Sequence, residues 1–383
     1  MISRFVVLAF ACTLLAQQQL DRAWDLAASG RRPEAIAVLG EFIRVNPNNA
    51  EGRLLLGSLL MEQGRKEQSI EHLRAAVRLR PNSEEAHNAL GEAYNKFGDT
   101  SEARAAFEKA VRLKPDYGIA QSNLGLVLLN AGDNAGAAKH LDRAIQLLGR
   151  TDDAADAHYL RAKIETSAGN LRQAEGYLKL AVTIRPQFAE AWSDLGQIRK
   201  TLLDDAGALT AFERAVTADP QDAVAQYRLG AEYLRQEQPH LAVGHLQQAS
   251  RLNPADQSVL NSLQIALRRE GDIEGANRVK QRLADALLEK DRLNQNQLAA
   301  VKLNNEGAIL EKAGNLPEAL KNYAEATRLD PEHNGIRTNY GIALLRLGRW
   351  KEGLDQLREA LRREPANQNI QRALEDALRQ APR

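Results

Sequence analysis

The sequence of 383 residues predicts an all-α fold in which helical hairpins of similar length stack into an α-solenoid. Three independent markers recur every 34 residues along most of the chain. The first is a proline, found at Pro47, Pro81, Pro115, Pro186, Pro220, Pro254, Pro331 and Pro365. The other two are small residues within apolar segments, exemplified by Gly91 and Ala103, and each shows one step of 37 and one of 43 residues. Because all three markers share the same two insertions, we attribute the spacing to repeated packing and not to a single catalytic motif.

Residues 84–115, EEAHNALGEAYNKFGDTSEARAAFEKAVRLKP, show how one unit is built. Apolar residues lie at helical spacing on both sides of the segment FGDTSE, where Gly98 can take the left-handed conformation that ends a helix. Gly91 and Ala103 have little or no side chain, so we expect two antiparallel helices to approach closely at these positions. Pro115 then ends the second helix. A single hairpin cannot bury its apolar face, whereas a stack of hairpins can.

The order Leu-Gly, Tyr, Ala, Phe, Ala and Pro at this period resembles the tetratricopeptide repeat family. The resemblance is most specific in residues 84–115 and in residues 191–220, which begin AWSDLGQ, and it covers roughly residues 17–383 with about ten repeats. It implies a right-handed superhelix of helix-turn-helix repeats, with the first helix of each repeat lining a concave groove.

The predicted segments follow one another in a simple order. They are a signal peptide or anchor at 1–16, eight repeats at 17–288, a helical junction at 289–299, two repeats at 300–365 and a C-terminal cap helix at 366–383. The fifth repeat departs from the pattern, since Arg161 and Ala162 replace Leu-Gly after an insertion around RTDDA. The fourth repeat ends at Gly149 where others have proline.

Residues 276–303 contain no glycine and no proline, which predicts one long helix. One interpretation is a hinge or a partner surface between the two groups of repeats. The other is an overgrown second helix of the eighth repeat.

The N-terminal residues, MISRFVVLAFACTLLAQQQ, have the pattern of an export signal. Arg4 precedes an apolar run of twelve residues, which is too short for an ordinary transmembrane helix. Cleavage after Ala11 would expose Cys12, the only cysteine, for lipidation, whereas cleavage after Ala16 would remove it. We therefore expect export to the periplasm, the envelope or the exterior, with membrane contact only through this segment. The alternative is a cytoplasmic protein whose first helix has an apolar extension.

Composition and motifs argue against several classes of function. The chain has 51 basic and 50 acidic residues, so it has no large excess of positive charge that would favour binding to nucleic acid. No motif for a metal, a phosphate or a cofactor is present, and we expect none of these ligands. The acidic run of Asp152, Asp153 and Asp156 is interpreted as an acidic loop that caps the start of a helix, and not as a cation site. Since no catalytic constellation is found, we expect a protein that is not an enzyme.

The resemblance implies a scaffold that binds other proteins or extended peptides in its concave groove. The N-terminal segment would place this activity in envelope or secreted-protein assembly. The alternative is a regulatory or targeting subunit of a separate enzyme, such as a glycosyltransferase, without a catalytic domain of its own.

A row of cations marks the candidate binding residues. It occupies one offset in the seventh to tenth repeats, at Arg235, Arg269, Lys312 and Arg346. Arg228 lies on the same helical face as Arg235, and Asn305 and Asn339 are placed to hold a peptide backbone, which resembles part of the asparagine ladder of some family members. These residues predict a preference for acidic segments or a free carboxylate. The alternative is that the cations only complement the helix dipole in the last turn.

Overall fold

The structure is a computed structural model that describes residues 17–365 and 367–381. In these ranges the chain forms twenty helices and no strand, so the predicted all-α helical-repeat fold is confirmed. None of the helices in the same ranges is long and apolar enough to cross a membrane. The signal peptide or anchor predicted for residues 1–16, including Cys12, lies outside the described residues.

The chain divides into two compact units, one ending at Leu252 and the other beginning at Asn253. The N-terminal unit contains α1 (residues 17–28), α2 (Arg32–Val45), α3 (Ala50–Glu62), α4 (Lys66–Leu79), α5 (Glu84–Lys96), α6 (Thr100–Leu113), α7 (Gly118–Asn130), α8 (Asn134–Leu148), α9 (Asp152–Ser167), α10 (Leu171–Ile184), α11 (Ala189–Thr201), α12 (Asp205–Ala218), α13 (Ala223–Arg235) and α14 (Pro239–Leu252). The C-terminal unit contains α15 (Gln257–Glu270), α16 (Ile273–Lys312), α17 (Leu316–Leu329), α18 (Asn334–Arg346), α19 (Trp350–Arg363) and α20 (Gln368–Gln380).

The hairpins that have glycine at the recurring position of the first helix close where this glycine meets a large side chain of the second helix. A methyl carbon added at Gly91 would lie 2.6 Å from the ring of Phe107, which is buried. The corresponding distance from Gly196 to the ring of Phe212 is 2.5 Å. These distances leave no room for a side chain, so the glycine pattern in the sequence follows from close helix packing.

A second recurring contact joins several of the hairpins to the one before. Four residues before the small residue, a side chain of the first helix donates to the carbonyl of the preceding proline. Trp192 Nε1 lies 2.9 Å from the oxygen of Pro186, and Gln121 Nε2 lies 2.8 Å from that of Pro115. His158 occupies this position in the fifth repeat, where the preceding proline is missing. Its buried Nδ1 has no hydrogen-bond partner among the residues that the structure describes.

Helix α16 is 40 residues long, which is longer than the helix expected from residues 276–303. Its first part packs against α15 and its last part against α17, so one helix serves two consecutive hairpins. Between residues 284 and 298 only Ala286 and Asn296 are half-buried, and all other residues are exposed. The predicted junction at 289–299 lies in this exposed part, and the predicted repeat boundaries on either side of it stay a prediction.

Candidate functional site

Polar side chains on successive first helices of the N-terminal unit form hydrogen bonds from one hairpin to the next. Asn123 Nδ2 on α7 donates to Asn88 Oδ1 on α5 at 3.0 Å. Tyr159 on α9 donates its hydroxyl to Asp194 Oδ2 on α11 at 3.2 Å, and Arg228 Nη1 on α13 donates to Asp194 Oδ1 at 3.1 Å. We call these five residues the polar row. They lie two or three positions before the small residue of their own helix, which explains why they meet.

The polar row is interrupted between Asn123 and Tyr159, and a pocket of about 390 Å³ lies there. Helices α7, α9 and α11 form its walls, since residues of all three line it. Helix α9 has 16 residues where α7 and α11 have 13 each. The three-residue insertion in the fifth repeat therefore becomes an extra first turn of α9, and Asp153 in this turn lines the pocket.

The carboxylates around this pocket are only partly neutralised. Arg185 Nη2 lies 2.6 Å from Asp156 Oδ2 and 2.9 Å from Asp152 Oδ2, so one guanidinium holds two of the acidic residues. Asp153 and Glu190 also line the pocket, and both are exposed. Neither forms an ion pair within the part of the chain that the structure describes. The pocket therefore has net negative charge at its rim.

The same carboxylates raise the pKa of nearby titratable groups, in addition to the effect of burial. Burial raises the pKa of Tyr117 to about 12, and the charges of Glu92 and Asp153 act in the same direction. Burial likewise raises the pKa of Tyr159, and Asp194 and its hydrogen bond add to the shift. Burial raises the pKa of Glu92, although the hydrogen bonds that Asn88 and Asn123 donate to its carboxylate act in the opposite direction. Burial is the main cause of these three pKa shifts, and the charges of nearby carboxylates add to it.

Two of the predicted binding residues lie on α13 and bind carboxylates of their own unit. Arg228 Nη1 lies 3.1 Å from Asp194 Oδ1, within the polar row. Arg235 Nη2 lies 2.6 Å from Asp205 Oδ1 and also pairs with Glu232. Both guanidinium groups are thus already neutralised by acidic neighbours, which the offset in the sequence could not reveal.

The other predicted cations belong to the C-terminal unit. Arg269 lies in the last turn of α15, and Lys312 is the last residue of α16 and is exposed. Arg346, at the end of α18, donates to the carboxylate of Glu311 on α16. The Arg346 guanidinium is therefore paired, whereas the Lys312 ammonium faces solvent.

Of the two predicted asparagines, Asn339 forms a hydrogen bond between hairpins. Its Nδ2 donates to Asn304 Oδ1 at 2.9 Å, and Asn305 is exposed. Asn304 and Asn339 repeat the geometry of Asn88 and Asn123, in the same two offsets. Asn304 was missed in the sequence because it lies one position from the offset that Asn123, Asn305 and Asn339 share.

No group of three or more His, Cys, Asp or Glu side chains able to hold a metal ion occurs in residues 17–365 and 367–381.

Solved structures with a similar fold include repeat proteins from several bacteria. PilF of Pseudomonas aeruginosa is 17% identical, with a TM-score of 0.51 over 55% of this chain and 95% of PilF. PilW, described as a widely conserved type IV pilus biogenesis factor, is 18% identical, with a TM-score of 0.50 over 56% of this chain and 98% of PilW. A tetratricopeptide repeat protein of Parabacteroides merdae is 16% identical, with a TM-score of 0.49 over 66% of this chain and 98% of its own. At these identities the likeness is one of fold.

Sequence comparison agrees with the structural comparison. No protein of curated function matches the sequence. The sequence profile of the tetratricopeptide repeat matches four regions, which are residues 20–84, 88–148, 123–187 and 305–369. These regions cover more than half of the chain and include both units, and the chain therefore belongs to the tetratricopeptide repeat family.

Proposed function

We propose that this chain is a non-catalytic scaffold that binds an extended polypeptide segment along the first helices of its N-terminal unit. Tetratricopeptide repeat arrays are protein-interaction scaffolds, and this part of the proposal follows from the family. The finer part rests on one observation, the polar row that runs from Asn88 to Arg228 and is interrupted by an open pocket. We call the surface that carries the row and the pocket the first-helix face.

The spacing of the row suits an extended segment. Packed helices lie about 8–10 Å apart, and an extended chain covers that distance in about three residues. A segment that crosses the first helices would therefore meet one polar side chain for every few of its own residues. Asn88 is buried, and its amide is bound to Glu92 and Asn123. The half-buried Asn123 donates from Nδ2 to Asn88 and Glu92, and its Oδ1 is the acceptor that this pair offers to the backbone of the segment.

Site-specific photo-crosslinking in cells of the native host tests this proposal. A photoreactive amino acid at Leu126 or Tyr227, on first helices, should crosslink to partner polypeptides. The same residue at exposed Lys139 or Arg214, on second helices, is the matched control. Crosslinks of equal yield at both sets, or at the second helices alone, would show that partners bind elsewhere.

We further propose that the protein is exported and acts in envelope assembly. The support is Arg4 and the apolar run from Phe5 to Ala16. PilW, whose fold is similar, is described as a pilus biogenesis factor, although the low identity carries only the fold. A fusion of residues 1–20 to a reporter that is active only outside the cytoplasm should be active in the native host. An inactive fusion, with Arg4 intact and the protein expressed, would contradict export.

An acidic partner for the C-terminal unit also stays a prediction. The residue most suited to this contact is Lys312, because its side chain is exposed and Asn305 lies on the same helix. Reversal of Lys312 to Glu should weaken binding of an acidic peptide, whereas the same change at Lys321 on α17 should not. If the two changes weakened peptide binding equally, Lys312 would not be a binding residue, and its only role would be to complement the dipole at the end of its helix.

A further inference from the structure

We propose that the pocket between α7, α9 and α11 receives the side chain of a lysine or arginine from a basic, extended segment of a partner protein. This inference rests on the proposed function, since it specifies the chemistry of the segment that binds the first-helix face. It differs from the acidic partner that the sequence predicts for the C-terminal unit. The argument has three parts, which concern the extra turn of α9, the charges at the rim and the walls of the pocket.

The extra turn of α9 gives the pocket an acidic residue that the neighbouring repeats lack. The insertion adds Asp152 and Asp153 at the start of this helix. Arg185 forms ion pairs with Asp152 and Asp156. This arrangement fixes the new turn in place and leaves the carboxylate of Asp153 at the rim without a cation from its own repeat.

The remaining cations near the pocket already contact other side chains of this chain. Arg228 is paired with Asp194, and its other hydrogen bond goes to Ser193 Oγ at 2.7 Å. Lys163 Nζ lies 5.7 Å from the centroid of the Tyr159 ring and lines a different pocket. Asp153 and Glu190 therefore present two carboxylates that a cation from a partner could neutralise, and charge complementarity of this kind favours a basic segment.

The walls of the pocket suit a long side chain with a charged end. Ile119, Leu126 and Leu160 provide apolar surface, and Phe188 and Tyr159 add two aromatic rings. Lysine and arginine place an aliphatic stem on apolar surface while the charged group stays at a polar edge. Two cations of this chain already lie over these rings, since Arg185 is 4.8 Å from the centroid of the Phe188 ring and Lys163 is 5.7 Å from that of Tyr159. The rings therefore contribute apolar surface to the pocket. An acidic segment would instead bring its carboxylates next to Asp153 and Glu190.

The two carboxylates also have a simpler explanation. Asp153 lies in the first turn of α9 and Glu190 in the first turn of α11, where acidic side chains complement the helix dipole. That explanation accounts for their sequence positions but not for their common position at the rim of an apolar pocket. The experiment must therefore separate a local contact from a general preference for acidic residues at helix starts.

The probes are three fluorescein-labelled peptides of equal length that alternate leucine and serine and differ only at four positions. These positions hold lysine in the first peptide, glutamine in the second and glutamate in the third. Fluorescence anisotropy with the full chain should show the highest affinity for the lysine peptide, a lower affinity for the glutamine peptide and the lowest affinity for the glutamate peptide. Affinity for the lysine peptide should fall as the salt concentration rises, because the rim charges are exposed to solvent.

The test variant combines Asp153→Asn with Glu190→Gln. It should lower the affinity for the lysine peptide about tenfold and leave the affinity for the glutamine peptide unchanged. The control variant combines Glu51→Gln with Glu67→Gln, which removes the same charge from the first turns of α3 and α4. Because all four side chains are exposed, both variants should fold like the original chain, which circular dichroism can check.

Three results would overturn the inference. The first is an equal loss of affinity for the lysine peptide in the test and control variants, which would mean that only the overall charge of the protein matters. The second is equal affinity for the lysine and glutamine peptides, which would refute the charge preference but leave the proposed function intact if crosslinks at Leu126 persist. The third is no binding of the lysine peptide at about 1 mM, the limit of weak specific affinity. Absent crosslinks at Leu126 and Tyr227 would instead refute the proposed function itself.

Discussion

At the scale of single residues, the small residue of each first helix decides how closely a hairpin can pack. Gly91→Ala would bring a methyl group to within 2.6 Å of the Phe107 ring, which has no free space to move into because it is buried. We expect a loss of about 1–3 kcal/mol in the free energy of unfolding. Urea denaturation of the variant measures this loss.

The matched control is Gly176→Ala on α10, where a methyl group would have no atom within 4 Å. Alanine favours the helix by up to about 1 kcal/mol over glycine, so this variant should be slightly more stable. If both variants lost the same stability, close packing would not be the reason for glycine at the recurring position.

Glu92 predicts a pH dependence of stability. Burial raises the pKa of its carboxyl above the ordinary value of 4.5, so the folded protein holds a proton that the unfolded chain has already released. The contribution of this group to stability is present below pH 4.5 and is lost as the pH rises through the raised pKa. Glu92→Gln should therefore stabilise the protein near neutral pH and have little effect below the ordinary pKa.

Urea denaturation of Glu92→Gln at several pH values checks this expectation. Glutamine keeps an oxygen that can accept from the amides of Asn88 and Asn123, so the variant changes the charge and retains the shape. Glu71, whose side chain is exposed, is the control position for the same substitution. A stability difference that is constant across the pH range would contradict the assignment to ionisation.

At the scale of elements, the order of the hairpins could be predicted from the sequence, because the apolar spacing, the glycines and the prolines all indicate the same packing. The start of α9 and the polar row could not be predicted from the sequence. The insertion before α9 reads as an acidic loop, and only the structure shows that it extends the helix and leaves a pocket. Likewise, the cations Arg235 and Arg346 share an offset in the sequence, but their pairing with Asp205 and Glu311 depends on neighbouring helices.

Helix α16 differs from the others because its middle gains little from tertiary packing. Between residues 284 and 298 its side-chain contacts include pairs within the helix, such as Arg292 with Glu289 at 2.6 Å. Pairs of this kind contribute only about 0.2–0.5 kcal/mol each, and most helix stability in proteins comes from burial. We expect the amides of residues 284–298 to exchange with solvent faster than those of residues 259–267 in α15.

Hydrogen exchange followed by mass spectrometry checks the expectation for α16. The comparison with α15 is informative because Val259, Leu260, Leu263 and Leu267 of that helix are buried. Fast exchange would support the hinge interpretation of the predicted junction. Equal protection of the two segments would mean that something covers the exposed leucines Leu287, Leu288 and Leu298 in solution.

At the scale of the whole molecule, a repeat array has short-range contacts, since each hairpin packs mainly on its neighbours in sequence. Stability is then a sum over hairpins and their interfaces, and the two compact units meet at Leu252 and Asn253 along the chain. A protein of this kind need not unfold in one step. The enthalpy measured by calorimetry should exceed the van't Hoff enthalpy calculated from the shape of the transition.

Two variants assign the transitions to the units. Gly91→Ala acts in the N-terminal unit, and Gly307→Ala acts in the C-terminal unit, where an added methyl group would lie 2.9 Å from the Tyr323 ring. Each should lower the temperature of one part of the heat-capacity curve and leave the other part unchanged, because distant sites act independently. If both variants shift a single two-state transition as a whole, the chain folds as one cooperative unit despite its short-range contacts, and the binding surfaces of the two units would gain or lose their structure together.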